Sequence, residues 1–171
     1  MLKSLYTFSS ILTLLATFVV NSVFAADFYT QATTKFQMKP LSPSASTMLR
    51  DHQAQKVTIA MVYQPQCKWC KKQGQWLAKA QQQCSKHFNL VLIGNNGNKQ
   101  QLKRELKHFH TDIPAFQSNR KLLTSVGGIK ASPTTLIFDQ AGSLITKKRG
   151  YVTADALSQA AKIMSGGQCQ L

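Results

Sequence analysis

Residues 63–73 read "YQPQCKWCKKQ". Cys67 and Cys70 bracket Lys68 and Trp69, and Lys71 and Lys72 follow directly. Such a pair can be a structural clasp, half of a metal site or a reacting dithiol, and its flanks help to decide. Upstream, Val57 to Tyr63, "VTIAMVY", is β-branched and nearly all apolar, the pattern of a strand buried on both faces. Downstream, Cys67 to Cys84 is built of helix formers, with Leu77, Ala80 and Cys84 on one face. The two cysteines therefore stand where a buried strand gives way to a helix.

Working outward, Phe88 to Ile93, "FNLVLI", reads as a second apolar strand closed by "GNNGN". Asn98 to Phe109 is amphipathic, with Leu102, Leu106 and Phe109 inward and a basic, solvated outer face. Arg120 to Val126 reads as a short helix ended by Gly127-Gly128. Thr134 to Asp139 is a strand, and Ser143 to Tyr151 returns as its hairpin partner. A last helix opens at Thr153 or Asp155 and runs to Met164, before a tail carrying Cys169. Ser44 to Gln55 reads as a helix with Ser44 or Ser46 as its N-cap, whereas Asp27 to Pro40 fits no pattern. Two early strands joined through a helix should be parallel, by a right-handed crossover. The late pair should be antiparallel, which makes the fold an α/β sandwich on a mixed sheet.

The chain starts with Lys3, the apolar run Ile11 to Val20, and Val23-Phe24-Ala25 at the −3 to −1 positions of a cleavage site. Residues 1–25 are expected to be an export signal cut after Ala25, or an anchor if uncleaved. The apolar run is short for a membrane span. Removing Lys3 takes the 21 basic residues to 20, against 6 acidic, a net charge of +14. That charge favours acidic partners or anionic surfaces, and export argues against nucleic acid. Four cysteines in an exported chain can form two disulfides, in any of three pairings.

"CKWC" at a strand-to-helix junction, followed some sixty residues later by "ASPTTLIFDQAGSLI", resembles the thioredoxin superfamily. With "GGIK" before and "RGY" after that loop, and "IPAFQSN" further ahead, residues 55–165 are most similar to its exported TlpA/ResA-type members. The resemblance implies a thioredoxin-like sandwich over residues 56–171, with 26–55 as an N-terminal extension. It implies that Ser132, Pro133 and Thr134 form the family's cis-proline loop, which binds an extended substrate beside Cys67. Three family features are absent. Gln66 replaces the tryptophan before the first cysteine, Met61 replaces the buried acid of the strand, and Gln73 replaces the glutamate after the second cysteine.

A helix N-terminus offers free N–H groups and partial positive charge, which stabilise a thiolate at Cys67. Lys68, Lys71 and Lys72 should lower its pKa further, giving a potential less negative than thioredoxin's. Cys70, one turn on, is expected to be the sheltered resolving thiol, and Trp69 to shield the disulfide or touch substrate. In a thioredoxin-like fold the helices preceding Cys84 and Cys169 share a face and run the same way. The resemblance thus implies a structural Cys84–Cys169 disulfide.

These readings combine into an exported, periplasmic thiol–disulfide oxidoreductase. It would act on protein thiols or disulfides, need no cofactor, bind no metal, and be recharged by a membrane or periplasmic redox partner. A disulfide isomerase is the nearest alternative. A copper-binding or noncatalytic module is the alternative from another class; Cu(I) suits soft thiolates, but His52, His87, His108 and His110 belong to no motif near Cys67. A four-cysteine zinc site would want a second close pair.

Overall fold

The computed structural model describes residues 28–33, 35–47, 56–110 and 112–171. The expected signal segment and the later part of the helix read over 44–55 lie outside them. The chain runs α1 (Phe28–Thr33), β1 (Lys39–Pro40), α2 (Pro43–Thr47), β2 (Thr58–Tyr63), α3 (Lys68–Cys84), β3 (Asn89–Gly94) and α4 (Lys99–Leu106). It continues with β4 (Ala115–Gln117), α5 (Arg120–Ser125), β5 (Thr134–Phe138), β6 (Leu144–Arg149) and α6 (Ala154–Met164).

The strands form one sheet in the order β1-β4-β3-β2-β5-β6. β2, β3 and β4 are parallel, and β1, β5 and β6 each pair antiparallel with a neighbour. β2 and β3 lie in the middle, so both of their faces are covered, which is why they are apolar beyond their first residues, Thr58 and Asn89. Alternate residues serve opposite cores. Ile59, Met61, Tyr63, Leu90 and Leu92 pack with Trp76 and Leu77 of α3, Leu102 of α4 and Leu157 of α6. Ala60, Val62, Val91 and Ile93 pack with Phe28, Phe116, Leu122 and Phe138 on the other side. The result is the mixed-sheet α/β sandwich that the resemblance implies.

Three elements escape the sequence reading, namely α1, β1 and β4. Phe28 and Ala32 of α1 are fully buried, and the Phe28 ring lies 4.4 Å from that of Phe138. Residues 28–47 thus contribute to the second core and to one edge of the sheet. The start of α2 also differs from expectation. It begins at Pro43 rather than after Ser44 or Ser46, and the Ser42 hydroxyl accepts the Ala45 N–H. Proline suits the first helical position because that N–H has no intrahelical partner anyway. α4 is shorter than expected, ending at Leu106, though Phe109 still turns inward.

Candidate active site

The loop between β2 and α3 carries the site. Gln66 adopts a left-handed conformation (φ +60°), and Cys67 follows as the N-cap of α3 in extended backbone. Cys67 and Cys70 are joined by a disulfide with Cα atoms 5.2 Å apart. Cys67 Sγ accepts the Cys70 N–H at 3.1 Å, so the sulfur occupies the capping position that a serine oxygen takes in other helices. The two cysteines differ in access, Cys67 being 8% exposed and Cys70 1%. The outer sulfur therefore lies at the positive end of a 17-residue helix and the inner one is sealed beneath it.

Trp69 is 51% exposed, its ring 5.2 Å from that of Tyr151, and the Lys72 ammonium lies over both rings. Tyr151 is a site neighbour that the sequence reading did not single out. The Ser132–Pro133 peptide bond is cis. Pro133 and Thr134 are buried, and the Thr134 hydroxyl donates to the Ala131 carbonyl. Thr134 pairs with Val62 near the end of β2, so the 132–134 loop and the Cys67 loop leave the sheet at the same edge.

Behind the disulfide, Met61 is wholly buried in the first core. Gln73 is buried too. Its Nε2 donates to Thr135 Oγ1 at 2.9 Å and its Oε1 accepts the Val152 N–H at 3.0 Å. An uncharged amide thus stands three positions after Cys70, held at both ends.

The charge around the site is not uniformly positive. Glu105 reaches in from α4, 14% exposed at its side chain, and its Oε2 lies 3.9 Å from Lys71 Nζ. Its Oε1 accepts the Gln66 N–H at 3.2 Å. Tyr63 lies beneath, donating its hydroxyl to the Leu102 carbonyl at 3.2 Å. Burial, and then the Glu105 charge, hold the Tyr63 phenol well above its usual range. The sequence alone does not signal Glu105, which belongs to a helix 39 residues downstream of Gln66.

At the far end of α3, Cys84 is bonded to Cys169, with Cα atoms 5.5 Å apart. Both pairs are intact, and no free cysteine remains among the described residues. Among those residues no cluster of three His, Cys, Asp or Glu side chains could hold a metal ion. No helix among them is long and apolar enough to cross a membrane.

Residues 46–164 match the thioredoxin-like domain family. No curated protein matches the chain by sequence. Among solved structures, MTB dsbF in mixed oxidized and reduced forms superposes with a TM-score of 0.59 at 12% identity, over 74% of this chain and 92% of that one. A thiol:disulfide interchange protein of the thioredoxin family from Chlorobium tepidum TLS gives 0.57 at 20% identity, over 65% and 81%. A secreted Mycobacterium tuberculosis disulfide oxidoreductase homologous to E. coli DsbE gives 0.53 at 12% identity, over 63% and 81%. These are likenesses of fold.

Proposed function

The chain belongs to the thioredoxin-like domain family, and we propose that it is an exported protein thiol–disulfide oxidoreductase of the TlpA/ResA type, with Cys67 as nucleophile and Cys70 as resolving thiol. The observation that carries this reading is the asymmetric pair at the start of α3, its outer sulfur at the helix terminus and its inner sulfur buried one turn behind.

In the reducing direction, the Cys67 thiolate attacks one sulfur of a substrate disulfide. A Cys67–substrate bond forms, and the other substrate sulfur leaves as thiolate. Cys70 then loses its proton and attacks Cys67 Sγ, closing the Cys67–Cys70 bond and releasing the second substrate thiolate. Two electrons pass to the substrate, and its two thiolates take up protons from solvent. The oxidising direction is the same sequence reversed, and a membrane or periplasmic redox partner resets the pair. Trp69 offers an amphipathic contact for the substrate chain, and residues 132–134 offer it a backbone edge. Export is supported by the charged-then-apolar start of the sequence, by four cysteines that are all paired, and by the secreted oxidoreductase among the fold neighbours.

The test is reduction of insulin disulfides by the protein in the presence of a small dithiol. The intact protein should accelerate the reaction and Cys67→Ser should not. Cys70→Ser should instead accumulate a Cys67–substrate adduct on non-reducing gels. Acceleration that survives in Cys67→Ser would overturn the assignment.

A further inference from the structure

We infer that Glu105 is a positioning residue of the dithiol. Its carboxylate fixes the turn before Cys67, and its charge opposes the surrounding lysines, making Cys67 a less acidic thiol and the disulfide a weaker oxidant than the helix terminus and lysines alone would. The inference rests on the oxidoreductase reading above.

Glu105 is the sole glutamate of a chain with 21 basic residues. It is also turned inward, whereas Arg104 and Lys107 on either side of it are exposed. Each of its oxygens has a partner in the active-site segment, Gln66 N for Oε1 and Lys71 Nζ for Oε2. The first contact matters for geometry. A non-glycine residue in the left-handed region costs roughly 1 kcal/mol, and Gln66 is held there by an acceptor aimed at its N–H. Gln66 is bonded directly to Cys67, so the same contact orients the nucleophile.

The second contact matters for charge. On α3, Lys68, Lys71 and Lys72 follow Cys67 within five positions, in the first turns of the helix. From α4 and the turn after it, Arg104, Lys107 and His108 line a polar groove of about 590 Å³ that runs along Gln64, Pro65 and Gln66, with Glu105 among them. Tyr63 faces the region from β2, its phenol pushed up by burial and then by Glu105, and Tyr151 stands on the other side against Trp69. Among the described residues around the turn 64–66, Glu105 is the one negative group beside positive ones, whereas on the Tyr151 side Asp155 of α6 shares a groove with Lys72. Removing it leaves the Cys67 thiolate less opposed. The thiolate is then more stable, and so is the reduced protein relative to the disulfide.

The experiment compares the intact protein with Glu105→Gln and Glu105→Ala. Two quantities are read: the pH midpoint of Cys67 alkylation in the reduced protein, located by peptide mass, and the equilibrium with a glutathione series. Glu105→Gln keeps an oxygen for the Gln66 N–H and removes only the charge. Its thiolate fraction below the midpoint should rise about threefold. The glutathione equilibrium should move about threefold toward the reduced protein, about 14 mV for a two-electron couple. Glu105→Ala should shift the same way and also lower the thermal midpoint, because the Gln66 contact is lost. Lys71→Gln should move both readouts in the opposite direction. A Glu105→Gln protein matching an active parent in both readouts overturns the inference and leaves the oxidoreductase reading standing. A parent dithiol that exchanges with nothing overturns both.

Discussion

Gln73 Oε1 accepts the backbone N–H of Val152 at 3.0 Å, which ties the middle of the first turns of α3 to the segment that opens α6. The other end of the same amide donates to Thr135 on β5. One buried side chain thus links three elements directly behind the inner cysteine. Gln73→Leu removes both bonds and leaves the half-buried Val152 N–H without this acceptor. It should lower the unfolding free energy by about 2–3 kcal/mol, read as a fall in the urea midpoint. An unchanged midpoint would mean that Val152 finds another partner.

Gly74 lies inside α3, where alanine would ordinarily be favoured by about 1 kcal/mol. A Cβ at this position would fall 2.1 Å from Cδ1 of Phe109, and that ring is buried and lies 5.3 Å from Tyr63. Overpacking of this kind costs about 1–3 kcal/mol. Gly74→Ala should therefore destabilise the fold despite its better helix propensity, and a raised thermal midpoint would contradict the packing described.

Tyr63 predicts an alkaline dependence. Its phenol is held above the ordinary value by burial first and by Glu105 second. The unfolded chain gives up that proton near pH 10 and the folded chain keeps it, so the folded state binds more protons above that pH and stability falls as pH rises. Tyr63→Phe loses the hydrogen bond to the Leu102 carbonyl, about 1 kcal/mol at neutral pH. It should also lack this slope, so the two proteins should converge in urea midpoint as the solution is made alkaline. A constant gap across the series would place the phenol in water.

The Cys84–Cys169 bond closes 85 positions. In the chain-entropy model that is worth about 4–5 kcal/mol. Cys84→Ala combined with Cys169→Ala should cost stability of that order. The same double variant should retain most of its insulin reductase activity when kept well below its melting temperature, because the bond lies at the opposite end of α3 from Cys67. Loss of activity in a still-folded double variant would make the second pair part of the redox chemistry.

The legible parts of this molecule are those whose physics is local. After Thr58 and Asn89, β2 and β3 are apolar runs because both of their faces are covered, and Leu77, Ala80 and Cys84 mark one helix face by spacing alone. β4 has three residues and β1 has two, too few to display a period; the backbone of β3 and the burial of Phe116 make β4 a strand. At α2, Ser42, Ser44 and Ser46 offer the same hydroxyl, and only Pro43 distinguishes the first as the cap. The cysteine spacing and the Ser-Pro-Thr loop point to the candidate centre, yet Glu105 cannot be read beside them. Its contacts with Gln66 and Lys71 are created by a crossover that brings α4 against the loop 64–66, and in sequence it is one charge on a helix with a solvated basic face.

The bond between α3 and the tail also imposes an order on the making of the protein. Cys67 and Cys70 emerge three positions apart and can close at once, whereas Cys84 stays unmatched until everything from β3 to α6 has been synthesised. Throughout that interval a spare thiol trails, by 14 residues, the disulfide that we propose trades partners. On the function proposed above, the earliest wrong target of that pair is its own unfinished chain, and the 17-residue length of α3 is what holds Cys84 at the opposite end of the helix from it.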